Sequence, residues 1–217
     1  LADNLADDAP ATGSGAARGA AWFSNPRVYL YAFIYFALTC GSLTLSFWMP
    51  LMIRDFGVQD VVMVSLYSVI PNAIGAVGVI LIARLADRRA QHGKFFAACT
   101  VGGALALAAL TTHPSSLALA LLLLSLATTL IFSALPIFWA MPTALLPREG
   151  RAGGIAMISS CGITSGIVAP WVIGQIKTAT GSMDIALYIL AVLLAVSAAV
   201  LLASLARPIP DADRTPP

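Results

Sequence analysis

Long apolar runs separated by short hydrophilic segments are the dominant feature of the sequence. A helix needs about 20 mainly apolar residues to cross a bilayer, and six runs reach or approach that length. We predict one membrane-spanning helix in each of residues 28–51, 61–83, 95–111, 117–145, 155–176 and 185–206. The segment Trp48-Met49-Pro50, an aromatic residue followed soon by a helix breaker, is expected to end the first helix. The pattern therefore predicts an all-α membrane protein.

Polar residues are distributed unequally among the six spans. The first, second, fourth and fifth spans carry three to five Ser, Thr, Asn or Gln residues each, whereas the third and sixth carry two each. Because polar side chains are costly in lipid, we expect four helices to face a polar cavity and two to face lipid or apolar partners. Pro71, Pro136, Pro142 and Pro170 follow the same division and should bend the four polar helices.

Within the polar spans, the hydroxyl and amide residues recur at helical spacing, so that each set lies on one helix face. The stripes are Tyr35, Thr39, Ser42 and Ser46; Ser65, Ser68 and Asn72; Ser125, Thr128 or Thr129, and Ser133; and Ser160 with Thr164. A hydroxyl in such a stripe can instead bond to a carbonyl of its own helix or pack two helices together, and that alternative stays open. Asn72 is the strongest candidate for facing a cavity, because its own helix alone does not satisfy an amide.

Composition excludes two other classes of protein. Hydrophobic residues make up 59% of the 217 residues and charged residues only 10%, which is not the composition of a soluble domain. A net charge of +2 without a basic stripe excludes nucleic-acid binding driven by charge. Cys40, Cys99 and Cys161 lie in three different spans without metal-ligand spacing, so we interpret them as core residues and predict no metal or cofactor.

Lysine and arginine predict the orientation, because cytoplasmic loops carry an excess of both. One side of the membrane would carry Arg18, Arg27, Arg84, Arg88, Arg89, Lys94, Arg148, Arg151, Arg207 and Arg214, and the other only Arg54 and Lys177. We therefore expect an inner-membrane protein with both termini in the cytoplasm, made of a linker (1–27), a six-helix bundle (28–206) and a tail (207–217). The linker-like start without a Met suggests the second half of a longer protein.

Several segments resemble a known family of transporters. The most specific are Phe138-Trp139-Ala-Met-Pro142-Thr143, the run from Gly153-Gly154 to Gly174, and Ala179-Thr180-Gly181-Ser182. Phe47-Trp48-Met-Pro50 and Arg84-Leu-Ala-Asp87-Arg88-Arg89 fit the same pattern. Together they resemble the second half of major facilitator superfamily transporters, specifically the anion:cation symporters. The resemblance covers about 26–206. It implies that the spans are helices seven to twelve of a twelve-helix fold with a three-plus-three inverted repeat.

The resemblance implies proton-coupled transport of a small organic anion by alternating access, together with an N-terminal six-helix half. No Asp, Glu, Lys, Arg or His lies inside a span, so the charged and titrating groups are expected in that other half. This chain should supply a neutral wall of the binding site, formed by Tyr35, Thr39, Ser42, Ser68, Asn72, Trp139, Thr143, Ser160 and Thr164. The family pattern has asparagine where this chain has Ser159 and Ile163. The second difference favours a less hydroxylated substrate.

The segment 84–94 is expected to be a cytoplasmic loop that acts as a conformational latch. With the cytoplasmic side closed, Asp87 would reach the start of the fifth span near Gly153 and Gly154, where the helix dipole favours an anion. Arg84 and Arg88 would belong to the same latch. The alternative is that the basic residues of this segment only fix the orientation in the membrane.

Two other functions are alternatives to half of a twelve-helix transporter. An intramembrane serine protease needs a Gly-x-Ser-Gly nucleophile and a histidine on another helix. The segment Gly162-Ile-Thr-Ser165-Gly166 has one residue too many and neither histidine lies inside a span, so we do not expect an enzyme. A self-contained six-helix half-transporter or channel that works as a dimer remains the alternative.

Overall fold

The computed structural model describes residues 25–114, 116–146 and 151–206, which form six long α-helices. In chain order these are α1 (Pro26–Asp55), α2 (Val61–Arg89), α3 (His92–Leu110), α4 (Leu117–Leu145), α5 (Arg151–Thr180) and α6 (Asp184–Ala206). All six are long and apolar enough to cross a membrane, and the described residues contain no β-strand. The predicted all-α protein with six spans is confirmed. Most of the predicted linker and the whole predicted tail lie outside the described residues.

Helix α1 continues through Pro50, where the sequence pattern predicted its end. Proline removes one backbone donor and bends a helix. However, Met49, Met52 and Ile53 on either side of it are buried in the core. The burial of these side chains holds the last turns in helical form, so the predicted stop at Pro50 was wrong.

Two connections are shorter than predicted. Because α2 extends to Arg89 and α3 begins at His92, the predicted loop 84–94 is reduced to a turn of residues 90–91. The turn is made possible by Ala90, which adopts a left-handed conformation with φ 50°. Arg and Lys are good helix formers, so the charged segment did not mark a helix end. Helix α5 likewise continues to Thr180.

Polar groups close the starts of α1 and α5. The Asn25 side chain accepts a hydrogen bond from the backbone N–H of Arg27 at 3.0 Å and caps the start of α1. At the start of α5, the Arg151 guanidinium donates to the Leu146 carbonyl oxygen from Nε at 3.1 Å and from a terminal nitrogen at 2.9 Å. This pair of bonds ties the start of α5 to the end of α4.

The helices form two related triplets, α1 to α3 and α4 to α6, whose main contacts join one triplet to the other. Helix α1 packs mainly against α5 and α2 mainly against α4, while α3 packs against α4 and α6. If α1, α2 and α3 are matched in order with α4, α5 and α6, the α1–α5 pair corresponds to the α4–α2 pair. Because successive spans alternate in direction, α4 runs opposite to α1, and the triplets form the predicted three-plus-three inverted repeat.

The six helices differ in how much of their surface is buried. Helix α1 is the most buried of the six, whereas α2 and α5 expose most of their surface. Helices α3 and α6, which were expected to face lipid or apolar partners, pack against each other. Polar helices α2 and α5 therefore lie on the open sides of the bundle.

Candidate functional site

An aromatic cluster marks the place where α1, α4 and α5 meet. The ring of Tyr35 on α1 stacks on Phe138 of α4, with ring centroids 5.2 Å apart and planes at 17°. Trp139 meets Tyr35 edge-on at 4.9 Å, and Tyr31 meets Phe138 edge-on at 6.0 Å. We call Tyr31, Tyr35, Phe138 and Trp139 the aromatic cluster. Tyr35 and Trp139 are half-buried, so part of their surface remains available to a ligand.

The position of Tyr35 depends on a glycine of the facing helix. Its ring lies directly against the backbone of Gly162 on α5, where a Cβ atom would overlap ring carbons. Only glycine leaves this space, so the sequence of α5 allows α1 to approach closely. Which ring Gly162 accommodates depends on the order of the helices in space, and the sequence does not give that order.

The hydroxyls of α1 lie beside this contact. The Thr39 hydroxyl donates to the Tyr35 carbonyl oxygen at 2.7 Å and lies 3.3 Å from the Gly162 carbonyl oxygen on α5. Ser42 is buried and donates to the Thr39 carbonyl oxygen at 3.1 Å. The structure thus brings Tyr35, Thr39 and Ser42 together along the face of α1 that meets α5.

Asn72 of α2 reaches α1 at Met49, which is 14 positions beyond Tyr35 and so about 21 Å farther along the helix. The Asn72 amide nitrogen donates to the Ser68 carbonyl oxygen at 2.8 Å and lies 3.6 Å from the Met49 sulfur on α1. Ser68 donates to the Val64 carbonyl oxygen at 2.8 Å. Asn72 is exposed, and its side-chain oxygen accepts no hydrogen bond from the described residues. That oxygen is therefore open to a donor on a ligand.

Ser160, Thr164 and Thr143 lie on exposed surface. Thr164 donates to the Cys161 carbonyl oxygen at 2.6 Å, and Thr143 donates to the Trp139 carbonyl oxygen at 3.0 Å. Ser160 and Thr164 are each two positions from Gly162, which places them about 200° around α5 from Tyr35. The structure does not bring these two residues to the aromatic cluster, and their part in a substrate site stays a prediction.

Two further residues of α1 belong to this region although the sequence did not single them out as site residues. Met49 is buried and touches Asn72. Trp48 is half-buried near Gly174, and its indole Nε1 is buried without a partner among the described residues. Hydropathy cannot identify such contacts, because they depend on which helices are neighbours.

Charged residues gather at the two ends of the bundle. Where α2 meets α3, Asp87 pairs with His92 at 3.0 Å, and Arg84 and Arg88 are exposed. In this structure Asp87 thus contacts α3, and its predicted contact with the start of α5 stays a prediction.

Ser165, which was considered as a nucleophile, is buried and donates to the Gly162 carbonyl oxygen at 2.6 Å.

The opposite end is held by one ion pair and one contact between a histidine and a carboxylate. Lys177 at the end of α5 bonds Asp55 at the end of α1 at 2.6 Å. His113, between α3 and α4, pairs with Asp184 at the start of α6 at 3.0 Å. Asp55, His113 and Asp184 line a polar cavity of about 320 Å³. The two contacts connect segments that are not consecutive in the chain and so fix this end of the bundle.

Known proteins with related sequences are bacterial transporters. The chain is 36% identical over 197 residues, 90% of its length, to an Agrobacterium vitis protein named for tartrate transport. It is 29% identical over 190 residues to NicT of Pseudomonas putida, named for metabolite transport, and 33% identical over 173 residues to the quinolone resistance transporter of Acinetobacter baumannii. The chain spans only 39% to 43% of the length of these three relatives. No family model matches the chain.

Six spans, the inverted repeat and these relatives lead to one conclusion about the family. The chain is related to these bacterial membrane transporters, and its six helices with their inverted repeat are consistent with the C-terminal bundle of the major facilitator superfamily fold that the sequence resembles. It is therefore a multi-pass membrane protein, and the relatives point away from an enzyme.

Proposed function

We propose that this chain is half of a secondary transporter that moves a small organic anion across the inner membrane by alternating access. An N-terminal six-helix bundle would complete the transporter, and both termini of this chain would lie in the cytoplasm. The observation that carries the proposal is a set of neutral groups: the half-buried rings and the hydroxyls of α1 beside the aromatic cluster, and the exposed Asn72 amide farther along α1 at Met49, with no charged residue inside any described span. Such a wall contacts the body of a ligand and leaves its charge to other groups.

The missing charge determines what the other half must supply. A buried carboxylate needs a cationic partner or several strong donors, and proton coupling needs a titrating group. The described spans of this chain have neither, because their charged residues lie at the helix ends. The partner bundle would therefore hold the anion and the coupling proton.

The exposed surface of α5 favours a ligand with an apolar body. Ile163 is 75% exposed at a position where the family pattern has asparagine. Isoleucine offers no hydrogen bond to a substrate hydroxyl, and a hydroxyl placed there would lose its water without replacement. We propose that the transporter prefers a carboxylate with few hydroxyl groups over tartrate itself.

Uptake by the reconstituted protein tests the proposal. The intact transporter, meaning this chain together with its N-terminal bundle, is placed in liposomes with an inward proton gradient. Uptake of benzoate and of tartrate is measured, and we expect gradient-dependent uptake that favours benzoate. Changing Thr39 and Asn72 together to Ala should lower uptake about tenfold, from two lost hydrogen bonds of roughly 0.7 kcal/mol each.

The control is Thr178→Ala, which removes an exposed hydroxyl that bonds to its own helix at the far end of α5. This variant should keep normal uptake. Unchanged uptake in the Thr39 and Asn72 double variant would refute the proposed binding wall. Uptake that does not depend on the proton gradient would refute proton coupling.

The alternative is a six-helix half-transporter or channel that works as a dimer of this chain. The same liposome assay with this chain alone distinguishes the two functions. Substrate flux without the N-terminal bundle would favour the dimer. Flux that requires both bundles would favour the twelve-helix transporter.

The proposed latch at Asp87 is tested in the same protein. Asp87→Asn should increase labelling of a cysteine introduced on the cytoplasmic side of the cavity, because the closed state loses its anion at the start of α5. Arg84 and Arg88 would belong to the same latch. Labelling equal to that of the unchanged protein would count against a latch.

A further inference from the structure

A cluster of cations at the turn between α2 and α3 has no acidic partner among the described residues. Arg84, Arg88 and Lys94 are all exposed, and we call them the basic patch. Asp87 is the acidic residue described at this end, and it is engaged by His92 at 3.0 Å. The other ion pairs of the described chain lie at the opposite end. The positive charge of the basic patch is therefore not neutralised within the described structure.

The cations of the basic patch lie at the ends of two exposed apolar stripes, one on α2 and one on α3. On α2, Val77 and Leu81 are 60% and 61% exposed, and Arg84 and Arg88 follow on the same face at spacings of three and four residues. On α3, Lys94 begins a stripe that continues through exposed Ala98, Val101 and Leu105. An apolar stripe that ends in a cation is the arrangement of a helix leaving the hydrocarbon for the headgroup layer.

The length of α2 places the arginines at the right depth. The exposed apolar surface of α2 begins at Val61, and Arg84 follows 23 positions later, roughly 35 Å along a helix that rises 1.5 Å per residue. The hydrocarbon core of a bilayer is about 30 Å thick. Arg84 and Arg88 therefore lie just outside the core, where lipid phosphates are found.

The local electrostatics favour an anion at this place. Arg84 and Arg88 are one turn apart on one face, and like charges at that spacing repel each other. A phosphate between them removes the repulsion and accepts hydrogen bonds from both guanidinium groups, which bind phosphate in a bidentate manner. The turn of residues 90–91 keeps Lys94 close to the end of α2.

We propose that the basic patch binds the headgroup of an anionic phospholipid, whose acyl chains lie along the apolar stripes of α2 and α3. The bound lipid stabilises the turn between these helices. The proposal depends only on the membrane-spanning helices and the charges at their ends, so it stands or falls independently of the transported substrate.

Lipid retention in native mass spectrometry tests this site. The intact transporter is purified in neutral detergent and titrated with phosphatidylglycerol or with phosphatidylcholine. The unchanged protein should retain phosphatidylglycerol in preference to phosphatidylcholine. Arg88→Gln should lower the affinity for phosphatidylglycerol about fivefold. Arg84→Gln together with Arg88→Gln should lower it about 25-fold, because each cation near a membrane surface contributes a similar binding free energy.

A matched control is Arg54→Gln, which removes one exposed arginine from the opposite end of the bundle. It should leave phosphatidylglycerol retention unchanged. Equal losses in the Arg54 and Arg88 variants, or equal retention of the two lipids, would overturn the proposal. If inorganic phosphate displaced the lipid at equal concentration, the patch would be a site for free anions and the lipid proposal would fail.

Discussion

The α1–α5 contact and the α2–α4 contact are equivalent in the inverted repeat, yet they are built from different side chains. In the first, the ring of Tyr35 lies on Gly162. In the second, threonine methyl groups of α4 lie on Gly75 and Gly78 of α2. In both contacts the glycines belong to the more exposed helix. The repeat has kept the close approach of the backbones while exchanging a large ring for small methyl groups.

The hydroxyl groups at the two contacts also differ in their hydrogen bonds. At the α1–α5 contact, the Thr39 hydroxyl donates within its helix and approaches the Gly162 carbonyl oxygen at 3.3 Å. At the α2–α4 contact, the hydroxyls of Thr128 and Thr129 are buried with no partner among the described residues. A contact of small groups without specific bonds allows sliding at lower cost than one fixed by a stacked ring. We therefore expect α2 to shift more easily against α4 than α5 against α1.

The largest effect is expected from a methyl group added under the Tyr35 ring. In Gly162→Ala the new Cβ atom overlaps the ring, which is also held by Phe138 and Trp139. Overpacking of this kind costs about 1–3 kcal/mol. The melting temperature of the intact transporter should fall, and Tyr35→Ala in the same protein should recover part of the loss.

Gly166→Ala is the matched control one turn along α5. Its Cβ atom would lie 3.7 Å from the Leu43 side chain, an ordinary contact. Alanine is better than glycine in a helix interior by about 1 kcal/mol, so this variant should be as stable as the unchanged protein or more so. Equal destabilisation by both alanines would contradict the ring contact.

A smaller loss is expected at the equivalent contact. In Gly78→Ala the new methyl group meets the Cγ2 atom of Thr129, which belongs to a single small side chain. The loss should be less than half of that for Gly162→Ala, because no stacked ring resists the movement. Thr129→Ala should restore the melting temperature fully. Failure of this rescue would place the strain in the α2 backbone instead.

The sequence predicts some parts of this comparison and not others. Hydropathy and helical spacing are local, so the six spans and the common face of Tyr35, Thr39 and Ser42 could be predicted. The course of α1 through Pro50 could not, because burial in the core decides it. The role of Asn72 stays a prediction: its own helix bonds the amide nitrogen, and the amide oxygen has no partner among the described residues. Contacts such as Tyr35 with Gly162 require the spatial order of the helices.

Removing a hydroxyl group should affect the stability differently at the two contacts. Thr39→Val removes a hydroxyl whose bonds include the approach to α5, and hydrogen bonds between membrane helices contribute about 0.6 kcal/mol. Thr128→Val removes a buried hydroxyl that has no partner in the described structure, so it should be neutral or stabilising. Thermal unfolding of both variants tests the difference. A loss with Thr128→Val as large as with Thr39→Val would mean that both hydroxyls are bonded.

The smallest effect is expected from the ion pair that closes the α1–α5 contact at its far end. Lys177 and Asp55 are 2.6 Å apart, but their side chains are 21% and 49% exposed. Water and salt screen such a pair, so its coupling should be between about 0.2 and 1 kcal/mol. A double-mutant cycle with Lys177→Met and Asp55→Asn measures it, and high salt should reduce the coupling. A coupling well above this range would mean that the ion pair, rather than Tyr35, holds α5 against α1.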